Sequence, residues 1–216
     1  METKYQVIPL FPTPLYANKI PEQLILDHIS LLNNEKTRNT PQIESEGFGE
    51  VSQNTYILNQ PEYQNLKSYI LQHVTHYTKS YLNYDYKNYT FSQSWISIKN
   101  PNQTHKPHTH SNSLVSGVIF YDNFTDETSK IDFYRNDSYS IGNSHPLGTN
   151  LNQFNYLSYS IPYQSNLLIL FPSFLGHSVS KNLTNFPRKS LSFNIVPKEG
   201  FGTEETLNKL ELLINE

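Results

Sequence analysis

The sequence predicts a mainly β protein with some helix: a β-sandwich or jelly roll buttressed by N-terminal helices. From Phe91 onward, short runs of alternating apolar and polar residues are separated by turn residues, which is typical of strands. Helical spacing is confined mainly to the first third of the chain. Tyr, Phe and Asn are abundant while Ala and Gly are few, a bias that suits strands and turns. Helices set apart from many short strands indicate this fold class.

The first third of the chain predicts two helices joined by extended and polar segments. Residues 5–11 alternate loosely and predict an initial strand, and Pro21 suits the first turn of the first helix. Residues 35–53 are polar and contain Pro and Gly, so we expect a loop there. A short strand is expected at Thr55–Leu58, and Pro61 opens the second and longer helix.

The remaining chain predicts a strand core followed by one last helix. Beyond the strand around Trp95, the runs are Leu114–Tyr121, Lys130–Tyr134, Asn155–Ile161, Leu167–Phe171, His177–Ser180 and Lys189–Val196. A helix from Thr203 is expected to end the chain, since leucines recur there at helical spacing. We therefore predict a single domain over residues 1–216, with a helical buttress and entry strands at 1–85, the strand core at 90–197 and the terminal helix at 203–216.

Composition excludes several classes of function. The formal net charge is −3 and basic residues are scattered, so we expect no nucleic-acid partner. No apolar run approaches the roughly 20 residues that cross a bilayer, and no secretion signal is evident, so we expect a cytoplasmic protein, in a host cell if it is virus-encoded. The chain has no Cys, so a metal would be held by His and carboxylates.

Three histidines are the candidate metal ligands. His108 and His110 are two residues apart, so in extended chain their side chains point to the same side. Neutral imidazoles are common ligands of iron, zinc, copper and nickel, although a pair of loop histidines fits the same pattern. His177 begins a predicted strand, where an isolated histidine is usually structural. His105 lies at an odd offset from His108, so we expect it to point away and to be exposed.

A second polar feature is a ladder of alternate residues led by an arginine. The polar members are Arg188, Ser190, Ser192 and Asn194, and apolar residues stand between them. Such a ladder is either the solvent face of a strand or the lining of a barrel. In a barrel, a buried guanidinium requires an anion, and its planar fork suits a carboxylate. A small-molecule carboxylate is then the expected partner.

Taken in order along residues 90–197, these motifs resemble the 2-oxoglutarate- and Fe(II)-dependent oxygenases, in particular a family of small phage and bacterial oxygenases with a His-x-His motif. The matching segments are Trp95-Ile96-Ser97, His108-Thr109-His110-Ser111-Asn112-Ser113, Ser116-Gly117-Val118-Ile119-Phe120-Tyr121, Leu170-Phe171-Pro172-Ser173-Phe174-Leu175-Gly176-His177 and Arg188-Lys189-Ser190-Leu191-Ser192-Phe193-Asn194.

The resemblance implies a double-stranded β-helix, which is a cupin-like jelly roll, with Fe(II) at its mouth and 2-oxoglutarate inside. By position, His108 and His177 would bind iron, and Arg188 with Ser190 would bind the distal carboxylate of 2-oxoglutarate. The implied reaction uses O2, converts 2-oxoglutarate to succinate and CO2, and hydroxylates a C–H bond of an unknown substrate, either a protein side chain or a small molecule. The resemblance does not indicate an oligomeric state.

The third iron ligand departs from the pattern of the wider superfamily. Most members have Asp or Glu two residues after the first histidine, whereas this chain has His110. Three interpretations remain open: a three-histidine site, a carboxylate from elsewhere such as Asp122 or Asp132, or completion by water. Trp95, Tyr121 and the loop at 35–53 are candidates for the pocket wall and lid.

Two other functions compete with the oxygenase. A cupin-like three-histidine metalloenzyme that does not use 2-oxoglutarate would fit the histidines but would leave Arg188 unexplained. A non-catalytic jelly-roll structural module would fit the strands and leave both features without a role.

Overall fold

Two antiparallel sheets and two helices make up the described part of the molecule. The computed structural model describes residues 8–39, 49–122, 125, 127–135, 152–154 and 156–212. The helices are α1 (Glu22–Asn34) and α2 (Gln64–Ser80), with single 3₁₀ turns at Ile57–Asn59 and Pro61–Tyr63. The strands are β1 (Tyr16–Lys19), β2 (Thr37–Asn39), β3 (Glu50–Ser52), β4 (Tyr89–Lys99), β5 (His105–His108), β6 (Val115–Phe120), β7 (Ile131–Tyr134), β8 (Ser158–Ile161), β9 (Leu167–Pro172), β10 (His177–Val179) and β11 (Arg188–Pro197).

The predicted fold class is confirmed. Among the described residues, one sheet has the strand order β1-β9-β6-β11-β4-β3-β2 and the other has the order β5-β10-β7-β8. Chain neighbours are often not sheet neighbours, which is the crossover topology of a jelly roll. Both predicted N-terminal helices form; α1 begins one residue after Pro21, which fixes the φ angle that the first turn requires. In the described part of the chain, no helix is both long enough and apolar enough to cross a membrane.

The large sheet separates two apolar clusters. On its outer face, Leu191 and Phe193 of β11 join a core that includes Leu66 and Ile70 of α2. The inner face and the small sheet enclose a second cluster, which includes Phe120. Because side chains alternate along a strand, the polar ladder that begins at Arg188 must face this interior rather than solvent. The barrel-lining interpretation of the ladder is therefore the right one.

Three expectations for the N-terminal region were wrong. Residues 8–11 are not in a strand, residues 5–7 lie outside the described part, and the first strand is instead β1, which pairs with β9. Thr55–Leu58 is an isolated bridge leading into a 3₁₀ turn, because the backbone N–H of Leu58 donates to a side chain, the Ser94 hydroxyl. In the expected loop at 35–53, the described parts contain β2 and β3, which extend the large sheet at its edge, and residues 40–48 lie outside the described part.

The expected C-terminal helix is also absent from the described residues 203–212. The backbones of Phe201 and Leu210 exchange two hydrogen bonds, of 2.8 and 2.7 Å, which fold this segment back on itself. Gly200 and Gly202 have φ angles of 87° and 68°, a region that side chains disfavour. The leucine spacing indicated a helix, but these two glycines allow a turn that competes with it. Residues 213–216 lie outside the described part.

Gly117 allows close packing between the large sheet and the helical layer. A Cβ atom at this position would collide with the ring of Phe193 and with the side chain of Leu170. Both neighbours are fully buried, so neither has free space to move into. We expect Gly117→Ala to lower the free energy of unfolding by about 1–3 kcal/mol, measured by chemical denaturation. An unchanged midpoint would show that the β6–β11 contact is looser than described.

Candidate metal and cosubstrate site

His108 and His177 face each other on adjacent strands at the mouth of the jelly roll. His108 ends β5, His177 begins β10, and the two residues are direct partners in the antiparallel pair. Directly paired residues point to the same side of a sheet, and the two ring centroids are 4.3 Å apart. The strand pairing itself therefore brings together two histidines that are 69 residues (177 − 108) apart in sequence.

His110 lies just beyond β5 and completes a group of three histidines. Its backbone N–H donates to the carbonyl of Ser173 at 3.0 Å, which fixes the chain beside the end of β9. Its Nε2 lies 3.2 Å from the Nε2 of His177. One ring nitrogen from each of His108, His110 and His177 lies within 4.8 Å of the others. This spacing suits three ligands around one metal ion.

Backbone hydrogen bonds determine which nitrogens of two histidines can bind a metal. Nδ1 of His108 lies 2.8 Å from the carbonyl of Lys106, and Nδ1 of His177 lies 3.0 Å from the carbonyl of Leu175. A carbonyl only accepts, so each Nδ1 carries the proton and donates it. Each Nε2 then keeps its lone pair. Such an outer hydrogen bond is the usual support of a metal-binding histidine.

The environment keeps these imidazoles neutral. Burial lowers the pKa of His177 to about 3 and that of His110 to about 4, with His108 adding to the effect at both. Burial also lowers the pKa of His108. A metal competes with protons for the imidazole lone pair. At neutral pH these three side chains therefore offer lone pairs to a metal without first having to lose a proton.

His105 was expected to be exposed, and the structure corrects this. Its ring stacks on that of His108, with centroids 4.2 Å apart. The strand pairing is irregular here: His177 pairs with His108, but Val179 pairs with His105. Between these two pairs, one residue on β10 opposes two on β5. This is a β-bulge, and a bulge changes which side the next residue faces.

Neither carboxylate suggested by the sequence lies at the histidine group. Asp132 is next to Phe133, the partner of His177 on β7, so its side chain points to the other face, where it accepts a hydrogen bond from Ser160. Asp122 follows the end of β6 that is remote from the histidines. Among the described residues, the group contains no Asp or Glu.

We therefore expect Asp132→Asn to leave metal affinity unchanged, measured by titration of the metal-free protein with Fe(II) under anaerobic conditions. The substitution keeps the size of the side chain and removes its charge. Asp122→Asn tests the other suggested carboxylate in the same way. A large loss in either variant would identify a carboxylate ligand.

Arg188 lies deeper in the interior with two donor atoms unused. Its side chain is 1% exposed, and Nη1 donates to the Ser190 hydroxyl at 3.1 Å. The guanidinium carbon lies 5.1 and 5.3 Å from the ring centroids of Phe120 and Tyr163. Nε and Nη2 are buried without a hydrogen-bond partner, which is costly for a charged group.

The charge of Arg188 is also uncompensated by protein. Burial lowers its pKa to about 10, so the guanidinium stays positive at neutral pH. No described carboxylate pairs with it. A planar fork with two free donors in an apolar interior suits a ligand carboxylate. The interior thus offers a metal site at the mouth and an anion site farther in.

Lys99 is a further buried residue of this interior that was not singled out from the sequence. In the structure it is 1% exposed and donates from Nζ to the Ser97 hydroxyl at 3.0 Å. Trp95 lies beside His110, with ring centroids 6.0 Å apart, as expected for a wall of the pocket. Tyr121, the other residue expected in the pocket wall, instead packs into the apolar cluster between the large sheet and α2.

A jelly roll with converging histidines at its mouth and an unpaired arginine in its interior has the features of an Fe(II)- and 2-oxoglutarate-dependent oxygenase. The family model described as "Putative 2OG-Fe(II) oxygenase" matches residues 93–194, the segment that contains all of these side chains. Residues 93–194 are therefore similar to the 2-oxoglutarate-dependent oxygenases, which use Fe(II), 2-oxoglutarate and O2. No curated protein matches the chain.

Solved structures share the fold at low sequence identity. A prolyl-4-hydroxylase from Pseudomonas putida has a TM-score of 0.57 at 11% identity, covering 84% of this chain and 92% of that one. HygX from Streptomyces hygroscopicus, with nickel and 2-oxoglutarate bound, has a TM-score of 0.60 at 13% identity, covering 86% and 84%. The epimerase SnoN in complex with Fe3+, alpha ketoglutarate and nogalamycin RO has a TM-score of 0.64 at 11% identity, covering 87% of this chain and 80% of that one.

Proposed function

We propose that His108, His110 and His177 hold Fe(II), and that Arg188 with Ser190 binds the distal carboxylate of 2-oxoglutarate. The main observation behind this proposal is that two groups with unused ligand or donor atoms, the three histidines and the arginine, face the same interior of the jelly roll. Three neutral imidazoles converge without a carboxylate, and a buried guanidinium keeps two donors unused. The cupin-like alternative without 2-oxoglutarate accounts for the first group only, so the oxygenase is the better explanation.

The donor set suits Fe(II) that must also bind small molecules. Three protein ligands leave positions open for a 2-oxo acid and O2. When bound, iron and 2-oxoglutarate supply oxidation of a C–H bond together with decarboxylation to succinate and CO2. The protein positions these reactants: the histidines fix the metal, and Arg188 anchors the far end of the cosubstrate. The apolar interior limits access of water.

A third imidazole changes the charge of the centre. Because imidazole is neutral and carboxylate is not, the site is one unit more positive than the two-histidine, one-carboxylate site of the wider superfamily. This should favour anionic ligands. We expect 2-oxoglutarate, a dianion, to bind the three-histidine centre more tightly than it would bind a His110→Asp variant.

The substrate supplies the C–H bond that is oxidised. The named relatives include a prolyl-4-hydroxylase and an epimerase from nogalamycin biosynthesis, so this fold is compatible with a protein side chain or a small molecule as substrate. We propose that residues 1–216 work as one oxygenase domain in the cytoplasm. Residues 90–197 form its catalytic jelly roll, and residues 1–85 support it.

The test is anaerobic addition of Fe(II) and then 2-oxoglutarate to the purified protein. A visible charge-transfer band that depends on both is the expected result, followed by succinate formation when O2 is admitted with candidate substrates. If the protein binds Fe(II) but 2-oxoglutarate neither produces the band nor binds by calorimetry, the metal-only enzyme replaces the proposed function.

A further inference from the structure

Lys99 and Arg188 are direct partners on neighbouring strands. They occupy the same register position of the β4–β11 pair, so both side chains point to the same side of the large sheet. That side is the interior, and each residue is only 1% exposed. Two long cationic side chains therefore lie next to each other inside the jelly roll.

The hydrogen bonds of the two cations repeat one pattern. Lys99 donates to Ser97, and Arg188 donates to Ser190. Each hydroxyl lies two residues along the same strand, and the two serines are themselves register partners. The result is two cation–hydroxyl pairs side by side.

The groups that face Lys99 do not neutralise it. Arg188 on β11 repels it. On β5, burial lowers the pKa of His105 and of His108, and the charge of Lys99 adds to this effect, so these imidazoles stay neutral and carry no negative charge to offset it. Glu50 on β3 pairs with Ile98 rather than Lys99 and therefore lies on the other sheet face. No described carboxylate forms an ion pair with Lys99.

Two adjacent buried cations without an anion would be costly. Each loses several kcal/mol of hydration, and like charges at this separation repel each other. An apolar pair of similar size would stabilise the fold more. A function that needs both charges would account for their presence together.

We propose that Lys99, supported by Ser97, is a second cosubstrate-binding cation, which holds the distal carboxylate of 2-oxoglutarate together with the neighbouring Arg188. The inference rests on the proposed function and adds a residue to its anion site. A carboxylate has two oxygens, so one can accept from the guanidinium and the other from the ammonium. Ser97 and Ser190 keep the two cations in place.

Proton uptake is an independent consequence of this arrangement. Burial, and then the charge of Arg188, lower the pKa of Lys99 to about 7. A carboxylate bound beside Lys99 would stabilise the ammonium and raise this pKa. Binding of 2-oxoglutarate should therefore take up protons at and above pH 7, and its affinity should fall as pH rises through this range.

The test compares two 2-oxo acids that differ only in the distal carboxylate: 2-oxoglutarate and 2-oxopentanoate. Affinities are measured anaerobically on the Fe(II) protein from the charge-transfer band or by calorimetry. Lys99→Met should lower the affinity for 2-oxoglutarate by about 10- to 100-fold, which is the contribution of a hydrogen bond to a charged group. The affinity for 2-oxopentanoate should stay nearly unchanged. Equal losses for both acids, or no loss for either, would overturn the inference.

A matched control lies on the other face of the same strand pair. The ammonium of Lys189 reaches outward to Asn33, so Lys189→Met removes the same charge from β11 without touching the interior, and should preserve both affinities. Calorimetry at pH 7.5 in two buffers of different ionisation enthalpy should show proton uptake by the parent protein and none by Lys99→Met. Uptake that persists in the variant would exclude Lys99 as its source.

The same measurements separate this inference from the proposed function. If the parent protein binds no 2-oxoglutarate, both fail. If the parent prefers 2-oxoglutarate and only an Arg188 variant loses that preference, the oxygenase assignment stands and the role of Lys99 is wrong.

Discussion

Arg188→Met should abolish most 2-oxoglutarate binding and, at the same time, make the cosubstrate-free protein more stable. Removing one partner of a buried charge pair costs about 2–5 kcal/mol, which corresponds to a loss in affinity of roughly 30-fold to several thousand-fold. Titration of the anaerobic Fe(II) protein with 2-oxoglutarate measures this loss. Affinity for 2-oxopentanoate should change little.

The expected gain in stability follows from the two unused donors of Arg188. Without a ligand, the guanidinium has one hydrogen bond, to Ser190, and packs against two aromatic rings, while the neighbouring Lys99 repels it. Replacing unsatisfied buried charges with apolar side chains is often neutral or stabilising by about 1–4 kcal/mol. Chemical denaturation without cosubstrate should show this increase. A loss of stability would mean that the guanidinium is a structural element, with a partner that hydrogen-bond geometry does not reveal.

Arg188→Lys is the matched control because it keeps the charge and removes the planar fork. An ammonium on a shorter side chain cannot bind a carboxylate with two parallel hydrogen bonds. We expect an affinity between those of the parent and the Met variant. Full affinity in the Arg188→Lys variant would show that positive charge alone holds the carboxylate, with Lys99 supplying much of that charge.

Alternation along strands made part of this site predictable from sequence. The period of two placed Arg188 and Ser190 on one face, and the same rule aligned His108 with His110. Which face of β11 is buried was not predictable, because an alternating strand has the same pattern whether its polar side meets solvent or lines a barrel. The polar face of β11 lines a barrel because the second sheet covers it, and this is visible only in the tertiary structure.

The errors have local physical causes. A bulge between β5 and β10 rotates His105 toward His108, and no residue type marks it in the sequence. Gly200 and Gly202 permit a turn where leucine spacing predicted a helix. The pairing of Lys99 with Arg188 depends on the register of two strands that are far apart in the chain. Contacts of this kind require the tertiary structure.

The second large effect is expected at His110, the residue that departs from the superfamily pattern. His110→Ala should weaken Fe(II) binding by at least about 100-fold, the upper end of the effect of losing an outer-shell partner. The reason is geometric: its Nε2 lies 3.2 Å from that of His177, so a metal that one contacts is within reach of the other. Fe(II) titration of the metal-free protein measures the change.

His105→Ala is the control for this experiment, because His105 also touches His108 but is not a member of the converging group. Its removal should have the smaller effect of a supporting residue. His110→Asp makes the opposite change: it keeps a ligand and adds a negative charge, so Fe(II) should still bind while 2-oxoglutarate binds less tightly. If His110→Ala kept full Fe(II) affinity, the third position would belong to water and His110 would not be an iron ligand.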